Sequence, residues 1–149
     1  SPVGASIVGE PQDQKRRPDN LVDGQFSVYF AAAIALLHKT YSWDSYGHLD
    51  DPKVQSLMER IQVVVSTGIA ELGTKVHIKT NGDNTLTQEI SLAKGEPESP
   101  LSWEEVVVKF KSLAGTILNS DQVEAIVKQV TNLEHVEDMA DFTTLLRPL

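Results

Sequence analysis

Asp23–Lys39, DGQFSVYFAAAIALLHK, is the stretch around which the remaining sequence has to be arranged. Phe26, Tyr29, Phe30, Ala33, Ile34 and Leu37 recur at i, i+3, i+4 and i+7, the spacing of one helix face. Val28, Ala31, Ala32, Ala35 and Leu36 fill the face on which a surface helix would carry charge. A helix apolar on nearly all sides needs cover on all sides, so it is expected at the centre of the fold. Asp23 is placed to cap its start, and His38 and Lys39 mark its end, where cations suit the negative pole of the helix dipole.

Upstream, Val3–Val8 suits a short strand, followed by the basic segment EPQDQKRRP at residues 10–18. Pro11 and Pro18 cannot donate ladder hydrogen bonds, so this segment is expected as an extended loop, a common location for function. Downstream, an aromatic connector at residues 41–48 leads to Asp51-Pro52, a cap and first-turn proline opening a helix with the stripe Val54, Leu57, Met58 and Ile61. Alternating β-branched residues predict a strand over 61–67. A hairpin follows, with strands at 74–80 and 85–92 around Asn81-Gly82-Asp83-Asn84, whose residue types tolerate positive φ. Ser102-Trp103-Glu104-Glu105 is a capping box opening a helix striped by Val106, Phe110, Leu113, Ala114 and Ile117. Ser120 or Asp121 then caps a helix carrying Val123, Ile126, Val127, Val130 and Leu133, and residues 138–146 suit a last short turn. The expected fold is α+β: a small antiparallel sheet of about four strands, its apolar face covered by helices, with one central buried helix.

Composition narrows the function. The 149 residues suffice for one ordinary core, and no shift in composition divides them. With 13 basic against 21 acidic residues the net charge is −8, which argues against nucleic acid; the only dense positive run is Lys15, Arg16 and Arg17. The absence of cysteine excludes disulfides and thiolate metal sites. The apolar run from Val28 to Leu37 is about half a membrane span, and no leader pattern opens the chain, so a soluble protein without a membrane partner is expected. Ser1–Gly9, SPVGASIVG, reads as the end of a strand entering a loop, which suggests a piece of a longer chain.

Several motifs occur in a telling order. E-P-x3-K-x2-P at residues 10–18 is followed by D-x-x-F-S at 23–27 and the alanine-rich helix. Then come the Asp-Pro helix, the hairpin with Asn-Gly-Asp, Gly95-x-Pro97-x-x-Pro100-Leu101-Ser102, and Val123-Glu124-x-Ile126-Val127 through Leu145-Leu146. Taken together they resemble the carboxy-terminal domain of the MmgE/PrpD family, which includes 2-methylcitrate dehydratases and cis-aconitate decarboxylases. One departure is Lys39, near which the resemblance leads us to expect a glycine. The resemblance implies residues 1–149 as the small α+β domain of a two-domain lyase. It implies too an amino-terminal helical domain that holds most catalytic residues, a small polycarboxylate substrate and a homodimer. An intracellular location, cytoplasmic or mitochondrial, fits the same reading. Epimerisation of an amino-dicarboxylate and a non-catalytic assembly module are the rival readings.

Lys15, Arg16, Arg17 and Ser27 are the candidate substrate-binding residues. Arginine binds a carboxylate through two parallel hydrogen bonds, and Lys15 occupies the lysine position of the family-like frame. Against this stands the simpler reading of a solvated loop. Ser27, near the start of the buried helix, either faces an anion with the free N–H groups or caps the helix. Tyr29 and Tyr46 sit at core spacing. Proton transfer beside a carboxylate needs a base such as histidine. His77 and His135 read as surface residues, His38 as a dipole partner, and His48 has no evident role, so no catalytic base is assigned. The acidic runs at 50–51 and 134–138 lack ligands at defined spacing; no metal and no cofactor are expected.

Overall fold

The computed structural model describes residues 1–82 and 84–147. The chain divides into two compact units, Ser1–Pro100 and Leu101–Leu149.

In the first unit the elements are α1 (Pro2–Gly4), a π-helical turn (Ala5–Gly9), α2 (Gln12–Lys15), α3 (Leu21–Gln25), α4 (Val28–His38), a 3-10 helix (Trp43–His48) and α5 (Pro52–Met58). The hairpin β1 (Thr74–Lys79) and β2 (Thr85–Ile90) follows. The core is built on α4, with Tyr29, Phe30, Ala33 and Ile34 fully buried against Val54 and Met58 of α5. Val28, Tyr46, Leu49, Leu57, Ile61 and Val63 close its edges. The central helix and the α5 stripe are therefore as the periodicity predicts.

Cover on every side is not. The helix breaks after α3, so Phe26 precedes α4 and is 47% exposed. In the last turn Leu36 and Leu37 are each 43% exposed. Asp23 lies inside α3, its N–H donating to the Asn20 cap, and Ser27 caps α4 instead: its Oγ accepts from the Phe30 N–H at 3.0 Å. Lys39 ends α4 in the left-handed conformation, φ 58° and ψ 20°, which favours glycine for want of a Cβ. The glycine expected near this point is thus accounted for by backbone geometry.

Two expected strands and one expected extended loop are corrected. Val3–Val8 is helical, and Ser1 caps its first turn by accepting from the Gly4 N–H. Residues 61–66 form no strand, because no neighbouring strand takes up their backbone groups; the Ile61 carbonyl accepts from Arg16 instead. The basic segment 10–18 is not extended either: Pro11 precedes one helical turn, α2, in which the Lys15 N–H donates to the Pro11 carbonyl at 3.1 Å. Among the described residues the sheet therefore has two antiparallel strands, paired from Thr74↔Ile90 to Lys79↔Thr85, rather than about four. The second strand stops at Ile90, and beyond Lys79 the Thr80 N–H donates to the Asn84 carbonyl at 2.9 Å. Asp83 lies outside the described residues, and the remaining turn positions show no positive φ. The helices of the first unit do not cover this sheet: every residue of β2 is exposed, and in β1 Ile78 alone is half-buried.

The second unit contains α6 (Trp103–Ala114), α7 (Ser120–Thr131), a 3-10 turn (Leu133–His135) and α8 (Met139–Thr144). Ser102 and Glu105 form the expected capping box. Asn119, rather than Ser120 or Asp121, caps α7. Helices α6 and α7 pack together, with Val123 and Ile126 buried and Lys111 hydrogen-bonded to Glu124. No helix among the described residues is long and apolar enough to cross a membrane.

Candidate functional site

The cation row lies where α2 meets the start of α4. Proline on either side limits the backbone, and the helical turn between them puts Lys15 at its last residue, with Arg16 and Arg17 just beyond. Ser27 joins the two elements: its buried hydroxyl donates to the Lys15 carbonyl at 2.5 Å while capping α4. A hydroxyl has one proton to give. An anion could take it only by breaking the bond that fixes Lys15.

The three cations have different surroundings. Arg16 points inward: its NH2 donates to the Ile61 carbonyl at 2.8 Å and its guanidinium lies 4.9 Å from the Tyr29 ring centre. Its buried Nε has no hydrogen-bond partner among the described residues. Arg17 is outside, its Nε and NH2 both on Glu59 Oε1 at 3.2 and 3.1 Å, with 78% of its side chain exposed. An ion pair so exposed holds weakly. Lys15 is half-buried, its ammonium 5.7 Å from the centre of the Phe26 ring, and among the described residues no carboxylate pairs with it.

Beside the row opens a cleft of about 580 Å³ lined by Arg16, Arg17, Asp19, Leu49, Asp50, Gln55 and Glu59, among others. Three carboxylates against two guanidiniums do not suit it to a polyanion, and Lys15 is outside its lining. A second open cleft, about 850 Å³, lies in the second unit, lined by Lys128, Gln129, Asn132, His135 and the carboxylates of Glu137, Asp138 and Asp141. It too is rich in negative charge.

Tyr29 and Tyr46 are core residues, as their spacing suggests. The Tyr29 hydroxyl donates to the Gly9 carbonyl at 3.3 Å, and burial raises its pKa despite the opposing effect of Arg16. Tyr46 stacks on Phe30 at 5.9 Å, and its hydroxyl meets that of Tyr41 at 2.9 Å. Burial, reinforced by this bond, pushes the Tyr41 phenol above the ordinary tyrosine range. Packing beside Gly24 is tight: a Cβ there would lie 3.1 Å from the Leu49 side chain and 3.3 Å from Tyr46, so those side chains would have to shift by a few tenths of an ångström.

Histidine positions divide in the same way. His77 is exposed on β1 and bonds Thr87 across the hairpin at 2.8 Å. His135 is exposed beside Glu134. His38 and His48 are brought together, their rings stacked with centres 4.3 Å apart, and Asp51 stands next to His48. Sequence spacing gave no hint of this, because the three residues come from α4, the 3-10 helix and the α5 cap. The pairing depends on α4 packing against α5, and the unexplained His48 was its one local trace.

An α+β chain built on a buried alanine-rich helix, with Lys15 on the turn that Ser27 ties to its entrance, is the class of domain the fold defines. A family model for the MmgE/PrpD C-terminal domain matches residues 1–135, and the chain belongs to that family. It is 30% identical to cis-aconitate decarboxylase from Homo sapiens over 133 residues, covering 84% of this chain and 27% of that protein. Cis-aconitate decarboxylase from Aspergillus terreus is 24% identical over 141 residues, or 89% of this chain and 29% of the relative. The enzyme of that name from Mus musculus is 25% identical over 136 residues, 87% and 28% respectively. The chain thus spans well under a third of the length of these curated relatives.

Proposed function

We propose that this chain is the small domain of a lyase acting on small polycarboxylates, by decarboxylation of the cis-aconitate type or dehydration of the 2-methylcitrate type. Membership of the MmgE/PrpD family and the likeness to three cis-aconitate decarboxylases support the reading. The observation that carries it is Lys15: a cation with no carboxylate partner among the described residues, on a turn tied down by Ser27 and Arg16. Such a group is ready to take a substrate carboxylate without first giving up an internal ion pair.

In this reading Lys15 binds a carboxylate and Arg17 supplies a second cation on release from Glu59. Arg16 and Ser27 act as positioning residues, since their polar hydrogens already hold the loop. Fixing two ends of a polyanion leaves its reacting carbon in one orientation, which is most of what a binding wall contributes to catalysis. A helical domain elsewhere in the polypeptide provides the proton-transfer groups, and the active protein is a homodimer.

Lys15→Met in the intact protein tests this. Loss of a charge-assisted contact worth about 1.5–3 kcal/mol should lower kcat/KM for the polycarboxylate about ten- to hundredfold. Unchanged turnover and substrate affinity would remove Lys15 from the site.

A further inference from the structure

We propose that His38, His48 and Asp51 form a surface site for a zinc-class divalent transition ion. One ligand atom from each lies within 4.8 Å of the other two. His48 Nδ1 and Asp51 Oδ2 are 4.0 Å apart, too far for a hydrogen bond. Donors around one zinc ion at about 2.0–2.2 Å each sit somewhat over 3 Å from one another, so the ligand atoms must close by an ångström or more, and the stacked His38 and His48 rings must rotate out of parallel to turn their in-plane lone pairs on one ion.

The second line of argument is how the ligands are held. Asp51 caps α5 with one oxygen only: Oδ1 accepts from the Lys53 N–H at 2.8 Å, while Oδ2 faces His48. The Asp51 N–H donates to the His48 carbonyl at 3.1 Å, fixing those two residues as neighbours. His38 closes α4, which packs on α5 through the fully buried core. Three ligands therefore come from backbone that the core already orders, and little entropy remains to be lost on binding. His38 is exposed and the other two are half-exposed, so an ion has access.

Two imidazoles and one carboxylate select for Zn²⁺, Co²⁺ or Ni²⁺ over Mg²⁺ and Ca²⁺, which take oxygen ligands. Three protein ligands leave a fourth position for water or an incoming anion. The site does not depend on the proposed lyase chemistry, and its test does not read activity.

Calorimetric titration of the intact protein with ZnCl2 should show one equivalent that His38→Ala, His48→Ala and Asp51→Asn each weaken at least about tenfold, since even loss of an outer-shell partner costs that much. Asparagine also caps helices, so Asp51→Asn removes the ligand charge while keeping α5 closed. At the same Zn²⁺ concentration the melting temperature of the wild-type protein should rise more than that of the histidine variants, while all four proteins melt alike in chelator. No such equivalent in the wild type, or a weakening of less than about tenfold in any of the three variants, overturns the proposal.

Discussion

Ser27 and Lys39 bound the central helix, and each shows how one side chain or one dihedral sets a local geometry. The Ser27 hydroxyl accepts from Phe30 and donates to Lys15, so its removal leaves a buried N–H and a carbonyl without partners. We expect Ser27→Ala to cost about 1–3 kcal/mol in denaturant unfolding, more than an exposed cap would, because the site is buried. The same variant should free the Lys15 backbone and lower kcat/KM. A stability change below a few tenths of a kcal/mol would show that the two bonds contribute nothing. At the other end Lys39 adopts φ 58°, a conformation costing a side-chain-bearing residue about 1–2 kcal/mol. Lys39→Gly relieves that strain and adds unfolded-chain entropy of about 0.5–1 kcal/mol, so a net gain of roughly 0.5–1 kcal/mol is expected. Destabilisation would mean that the lysine side chain contributes more than its backbone costs.

For whole elements, legibility followed the range of the forces involved. Local signals were read well: α5 begins at Pro52 behind its Asp51 cap, α6 opens with its Ser102–Glu105 capping box, and the hairpin lies where alternation and turn residues put it. Signals requiring a partner were read poorly. Val3–Val8 and residues 61–67 have β-branched residues but no neighbouring strand, and backbone groups without a ladder go elsewhere, into a helix in one case and to Arg16 in the other. Periodicity identified α4 yet overstated its burial, since a nearly uniform apolar helix carries no mark of which side is covered. The structure separates those sides by single residues: Ile34 is fully buried, whereas Leu37 is 43% exposed. Ile34→Ala should therefore cost about 2–5 kcal/mol and Leu37→Ala less than about 1, measured as shifts in unfolding free energy. Equal costs would mean that Leu37 is covered in solution. Of the candidate site, the sequence marked the cation row, but not that Ser27 is tied to Lys15 or that His38 meets His48, because both are tertiary contacts.

At the scale of the molecule, exposed apolar surface gathers on the hairpin. On one face of the hairpin the register sets Val76 beside Gln88, Ile78 beside Leu86 and Thr74 beside Ile90, and Val76, Leu86 and Ile90 are 45, 59 and 49% exposed. The opposite face bears the Lys75–Glu89 ion pair and the His77–Thr87 bond, the pattern of a surface meant for water. A two-stranded sheet with no helix of its own unit covering its apolar side is marginal by itself. Leu36 and Leu37 add to what is open. Single exposed apolar residues are ordinary, but an apolar sheet face one strand pair wide is the kind that a larger protein covers. If the proposed lyase architecture holds, the 149 residues alone should turn over neither cis-aconitate nor 2-methylcitrate. They should also bind a hydrophobic dye such as ANS and self-associate as concentration rises. Leu86→Lys with Ile90→Thr should reduce both dye binding and association while leaving the α4 core intact, because β2 is exposed throughout and contributes nothing to that core. Robust turnover by the isolated chain would contradict the division of the site between domains, and dye binding unaffected by the double substitution would move the exposed surface away from the hairpin.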